Sequence, residues 1–243
     1  ETPILFALMA ANNETGVIQP YAEAGRMIRE AGHLYHIDAV QMLGKAGFDF
    51  AGSFAHFAAF SSHKLGGPQG VGALAVACEA GVAPQLIGGG QEKNRRAGTE
   101  NVAGIAGFGA AAAVAGGAEE LSQIRALRDE LQARLKAGAP EITIWGEDTE
   151  RLDNTLCLSA PGWPSEIQVI ALDLNGFAVS AGSACSSGKV RKSKVLEAMG
   201  ASAADAESAL RISLGWTTTR DDIEAFANAW LNEYARLRPR AAV

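Results

Sequence analysis

Apolar residues fall along this chain in two rhythms. From Ile4 to Ala10 they run unbroken, as in a strand buried on both faces. Asn12-Asn-Glu-Thr-Gly16 ends that run with turn chemistry. Tyr21 to Ala31 has helical spacing and stops before Gly32, a residue suited to the left-handed position past a helix end. Short apolar strands follow at Leu34 to Ile37, ending in Asp38, at Phe57 to Phe60, ending in Ser61, and at Val71 to Ala77. Strands and a helix in alternation, with polar residues at the strand ends, predict an α/β arrangement on a mostly parallel sheet.

The rhythm changes near Gly116-Gly117. Leu121, Ile124, Leu127, Leu131 and Leu135 step by 3, 3, 4 and 4, one stripe of a long helix. Short strands are expected at Ile142–Ile144, Thr155–Leu158, Val179–Ser180 and Leu210–Leu214, with a helix over Glu166–Leu174. A last helix starts at Thr219, where Asp222 makes a capping-box-like pair, and sets Ile223, Phe226, Ala227 and Trp230 on one face. The expected division is residues 1–116, an α/β portion, and 117–243, a smaller α+β portion.

Composition narrows the classes. The 243 residues carry 21 Lys plus Arg against 27 Asp plus Glu, a net charge of −6, which argues against a nucleic-acid binder. Hydrophobic residues at 48% and charged at 20% fit a folded globular chain. Three Cys without regular spacing form no disulfide framework and suit a reducing compartment, hence a cytoplasmic protein. No CxxC occurs, so no metal site is expected. The uncharged run Val102–Ala118 is mostly Ala and Gly, and reads as a buried helix packed through small residues rather than a membrane span. Gly107-Phe-Gly-Ala-Ala-Ala112 resembles a dinucleotide fingerprint only as such a run does by chance. Cys78 and Cys157 read as core thiols.

The candidate chemistry sits at strand ends. Ser61-Ser-His-Lys64 closes an apolar strand and precedes Gly66-Gly67-Pro-Gln-Gly70. Lysine is ordinarily a solvated surface residue, but beside hydroxyls, an imidazole and a glycine turn it also suits an amine that forms a Schiff base near a bound phosphate. Asp38 is either a helix cap or a carboxylate paired with a protonated ring nitrogen.

Several stretches together carry a family resemblance. They are Ala11-Asn-Asn-Glu-Thr-Gly16, His36-Ile-Asp-Ala-Val-Gln41, Ser61-Ser-His-Lys64, Gly88-Gly-Gly-Gln-Glu92, Arg95-Arg-Ala-Gly-Thr-Glu-Asn101, Ser180-Ala-Gly-Ser-Ala-Cys-Ser-Ser187 and Leu210-Arg-Ile-Ser-Leu-Gly215. In this order the chain resembles the cysteine desulfurases, pyridoxal-phosphate enzymes of the class-V aminotransferase group. The resemblance implies a transferase-type α/β cofactor domain plus a small C-terminal domain. It implies pyridoxal 5'-phosphate as cofactor, L-cysteine as substrate and alanine plus a persulfide as products.

By the same resemblance, Lys64 carries the cofactor, Asp38 pairs with its pyridine nitrogen, and Asn13 and Gln41 lie on its phenolic-oxygen side. Ser61 and His63 hold its phosphate, and Thr99 reaches the phosphate of the other subunit of a homodimer. Arg211, with Asn13, binds the substrate, and Cys185 is the nucleophile. The sulfur then goes to an acceptor or iron–sulfur scaffold protein. Family members also have an N-terminal region with a Gly-Ala-Thr phosphate cup and a ring-stacking His. Neither motif precedes Asn12, since His33, His36, His56 and His63 all follow it, so the expectation is a site lacking that part. An aminotransferase or selenocysteine lyase on the same scaffold, and a truncated non-catalytic module, are the alternatives.

Overall fold

A computed structural model describes residues 2–182 and 193–237; Cys185 lies outside them. The chain forms two compact units, Glu1–Ala11 with Gln19–Gly117, and Asn12–Ile18 with Ala118–Val243.

The first unit is α/β. Strands β1 (Leu5–Met9), β2 (Leu34–Asp38) and β3 (Phe57–Ser61) run parallel, and β4 (Gly72–Val76) closes the four-stranded order antiparallel to β3. Helix α1 (Tyr21–Glu30) crosses from β1 to β2 and presents Gly25 to the buried Tyr35, whose hydroxyl donates to the Tyr21 carbonyl at 3.1 Å. Tyr35, Ile37, Met42 and Ala58 are almost fully buried and make this unit's core. After β4 come a short α2 (Gln91–Asn94) and α3 (Val102–Val114), which Asn101 caps by accepting the Gly104 amide at 3.1 Å.

Two expectations fail here. The β1 run is not buried on both faces: Leu5 is 56% and Met9 41% exposed. Among the described residues β1 is an edge strand, paired with β2 alone. Likewise α3 buries only Gly104 and leaves Val102 and Val114 exposed. Among the described residues no single helix is long and apolar enough to cross a membrane. A groove of about 740 Å³ runs beside β4 and α3, lined by Leu74, Val76, Ile105 and Phe108 with Arg95 and Arg96.

The second unit packs helices on an antiparallel sheet of order β5-β6-β8-β7, built from Thr143–Ile144, Thr155–Ser159, Ala209–Ser213 and Ser180–Ala181 respectively. Its helices are α4 (Ala118–Gly138), α5 (Ser165–Leu174), α6 (Lys194–Ala198), α7 (Ala203–Glu207) and α8 (Arg220–Leu237). Side chains alternate across β6: Leu156 and Leu158 join the core of α4, α5 and α8, whereas Cys157 joins Leu196 and Ala206 of α6 and α7. Thus every residue of β6 is buried. Gln168 ties this core together, donating to the Trp163 and Ser208 carbonyls at 2.8 and 2.7 Å and accepting from the Trp230 indole at 3.2 Å. The Thr219–Asp222 pair forms as a capping box, with Thr219 N–H donating to Asp222 Oδ2 at 2.8 Å and Asp222 N–H donating to Thr219 Oγ1 at 3.2 Å. The Thr219 amide and hydroxyl, both donating to Asp222 Oδ2, hold its carboxyl below the usual range.

Gly25 yields a test with an unusual sign. In an exposed helix Gly→Ala gains about 1 kcal/mol. Here a Cβ would meet the Ser53 carbonyl oxygen and stand 2.9 Å from Tyr35 Cε1. Gly25→Ala is therefore expected to destabilise by about 1–3 kcal/mol, as overpacking does. Urea unfolding checks it: the midpoint should fall with the slope unchanged, and a midpoint at or above wild type refutes the packing.

Candidate active site

In the first unit the carboxyl ends of parallel strands bring four of the expected residues to one edge of the sheet. Asp38 is the last residue of β2 and Ser61 the last of β3, with Asp38 in register with Ala59. Ligands of open α/β sheets bind outside these strand ends. The chain then tightens into a 3-10 turn, Ser62–Leu65, that carries His63 and Lys64. Gly66, at φ 90°, ends that turn in a conformation a side chain rarely adopts. Gly67 follows, where a Cβ would collide with Ser62 Oγ. Glycine is what lets the chain turn back here at once.

The side chains at this edge are polar and accessible. Ser61 Oγ and His63 Nδ1 share a hydrogen bond of 2.9 Å. Lys64 is half-buried. Asp38 is exposed, and its Oδ1 accepts the Val40 amide at 3.1 Å. That bond resembles a cap, but turns rather than a helix follow it. Gln41 Oε1 accepts from Lys45 Nζ at 2.7 Å. Thr99 lies on the exposed segment between α2 and α3.

This donor set fits a phosphorylated pyridine aldehyde. A hydroxyl and an imidazole suit phosphate oxygens, a carboxylate suits a protonated ring nitrogen, and a primary amine suits the aldehyde carbon. Ser62 adds a buried hydroxyl whose oxygen has no partner in the structure.

The second unit holds the remaining described candidates. Arg211 lies on β8, in register with Cys157 on one side and Ser180 on the other. Its Nη1 donates to the Asn13 carbonyl at 2.8 Å and its Nη2 to Ser180 Oγ at 3.2 Å. Its Nε is buried and makes no hydrogen bond in the structure. Asn13 thus meets Arg211 through its backbone. It sits in a turn closed by Asn12, whose Oδ1 accepts the Glu14 and Thr15 amides at 2.9 and 3.0 Å.

Two residues escaped the sequence reading. Glu14, next to Asn13, accepts a short hydrogen bond from the Ser193 hydroxyl. Burial pushes the Glu14 carboxyl up, while the Ser193 bond and the nearby Arg211 guanidinium pull it back. Ser193 is fully buried and caps α6, accepting the Leu196 amide at 3.1 Å. A Ser before an apolar stretch was the available signal; its link to Glu14 spans 179 positions and left no local trace.

Of the two described thiols, Cys157 is buried and Cys78 is exposed, so Cys78 is not the core thiol expected. Burial first, then the Glu14 carboxylate, pushes the Cys157 thiol up to about 12. It is therefore a poor nucleophile near neutral pH.

Comparison with known proteins agrees with this chemistry. The chain is 41% identical over 242 residues to "Cysteine desulfurase IscS" of Anaeromyxobacter sp. (strain Fw109-5), covering 98% of this chain and 59% of that protein. It is 39% identical over 220 residues to "Cysteine desulfurase NifS" of Azotobacter vinelandii, covering 90% of this chain and 55% of that protein. The structure of a NifS-like protein from Rickettsia africae superposes with a TM-score of 0.86 at 37% identity, over 95% of this chain and 62% of that one. The chain therefore spans about 59% of the length of its IscS relative. The profile of the class-V aminotransferases covers residues 1–226, and with the strand-end lysine and its serine–histidine neighbours on a parallel sheet, the chain belongs to that family.

Proposed function

We propose that this chain is the greater part of a pyridoxal-phosphate-dependent cysteine desulfurase. The observation that carries the reading is the hydrogen-bonded Ser61–His63 pair beside Lys64, one strand away from Asp38, in a chain whose relatives bear that name.

Lys64 would hold the cofactor covalently, Ser61 and His63 would donate to its phosphate, and Asp38 would accept from its ring nitrogen. Gln41 would lie on the side of its phenolic oxygen. The cofactor, when bound, supplies an electron sink for the charge released at the substrate α-carbon. Arg211 receives the carboxylate of L-cysteine, already oriented by its bonds to Asn13 and Ser180. The Cys185 thiolate attacks the substrate sulfur, so that an S–S bond forms as the C–S bond breaks. The electron pair of the C–S bond stays with the substrate carbon, which would take up a proton carried by Lys64, its amine free once the substrate amine has displaced it. L-cysteine plus the thiol thus becomes alanine plus a persulfide.

The finer reading is a cytoplasmic homodimer. The exposed Thr99 of one subunit reaches the phosphate bound by the other, and the persulfide sulfur passes to an acceptor or iron–sulfur scaffold protein. Exposure of the Thr99 segment and the lack of a disulfide framework support it.

Three measurements test this. Borohydride reduction of the cofactor-loaded protein, followed by peptide mapping, should place the pyridoxyl mass on Lys64; a label on Lys45 or Lys93 overturns the assignment. Arg211→Lys replaces a planar fork with a point charge, and should raise KM for cysteine about tenfold with cofactor absorbance intact. An unchanged KM removes Arg211 from substrate binding. Cys185→Ser should bind cofactor yet form no persulfide. Recovery of the extra sulfur on Cys78 or Cys157, or full activity of the variant, refutes the mechanism.

A further inference from the structure

The turn at Asn12–Gly16 makes two long-range attachments within the second unit from adjacent residues. The Asn13 carbonyl accepts from Arg211 on β8, and the Glu14 carboxylate accepts from Ser193 at the head of α6. The turn itself is stiff. Asn12 Oδ1 gathers two amides, Gly16 N–H donates to the Asn12 carbonyl at 3.0 Å, and Leu152 N–H donates to the Gly16 carbonyl at 2.8 Å. Gly16, at φ 77°, packs so close that a Cβ would stand 2.9 Å from Thr155 Cβ. A side chain projecting from such a turn holds its partner at a fixed place.

That partner matters because of where it falls in the sequence. Ser193 follows Cys185 by eight positions, and Ser180 precedes it by five. Ser180 is tied to Arg211, and Ser193 is tied to Glu14. We propose that Glu14 is a positioning residue of the candidate site, fastening the head of α6 at Ser193 to the same turn that orients Arg211. The inference rests on the desulfurase reading for its functional consequence, but not for the tie itself. Glu14 touches neither substrate nor cofactor in this scheme; it acts through Ser193. The carboxylate suits the task because a charged acceptor, partly desolvated, bonds a hydroxyl more strongly than a neutral one.

Four variants test it: Glu14→Ala, Ser193→Ala, the double variant and Glu14→Gln. The first readout is amide hydrogen exchange over residues 194–198 in cofactor-free protein. Glu14→Ala should speed exchange there about tenfold, and Ser193→Ala more, since it also removes the cap on Leu196. In the Ser193→Ala background the Glu14 change should add nothing, the signature of a direct pair. Glu14→Gln keeps an acceptor oxygen and should return exchange to within about threefold of wild type.

The second readout is cysteine turnover. Glu14→Ala should lower kcat about tenfold and leave KM within about twofold, because Arg211 keeps its bonds to Asn13 and Ser180. Unchanged exchange in Glu14→Ala, additive effects in the double variant, or a loss confined to KM each overturn the proposal. If the wild-type protein forms no alanine from cysteine, the desulfurase reading fails by itself, and the exchange cycle still decides whether Glu14 positions α6.

Discussion

One amide oxygen sets the geometry of the second unit's candidate residues. Asn12 Oδ1 accepts from Glu14 and Thr15 and thereby folds five residues into a closed turn. Asparagine suits this place because its short carbonyl reaches amides two and three positions ahead. The turn would drift without a second support. That support is the segment Glu150–Leu152, which accepts the Ile18 amide at 2.9 Å and donates to the Gly16 carbonyl. The segment is in turn held to α4, where Arg128 Nη1 donates to the Leu152 carbonyl at 2.7 Å and Arg151 Nη2 to Gln132 Oε1 at 2.8 Å. A chain of short hydrogen bonds thus runs from a long amphipathic helix to the carbonyl that orients Arg211.

Burying these arginines has a price in desolvation. Burial, then the neighbouring Arg128, lowers the Arg151 pKa, and its Nη1 has no partner. Arg128 is better served, with Asp129 accepting from Nη2 at 2.7 Å and the Leu152 carbonyl from Nη1. Leaving a buried guanidinium donor unpaired costs on the order of 1–3 kcal/mol. The unit tolerates that cost next to a leucine-rich core in which Trp163, Trp230 and Tyr234 pack ring on ring.

Local pattern carried the reading as far as local physics decides the structure. Asp38 and Ser61 are visible as polar residues that end apolar strands, a contrast between immediate neighbours in sequence. The Thr219–Asp222 cap was visible for the same reason, being a contact between near neighbours. What stayed hidden depends on residues far away. Nothing in the apolar residues of Leu5–Met9 or of α3 tells what packs against them, so their exposure is not legible in the sequence. The antiparallel direction of β4 is set by the route of the chain from Leu65 to Gly72, not by the apolar residues in it. The pairing of Glu14 with Ser193, and the return of Asn12–Ile18 to a unit that otherwise begins at Ala118, follow from three-dimensional closure alone.

The sandwiching of β6 between two helical layers makes Cys157 a clock. A thiol enclosed on both faces of a sheet meets a dissolved reagent only when the strand parts from its neighbours. The rate at which Cys157 is modified in the native protein then measures how often that unit opens, while the exposed Cys78 reports reagent concentration in the same tube. The chain carries its own pair of probes for motion too rare to register in a static structure.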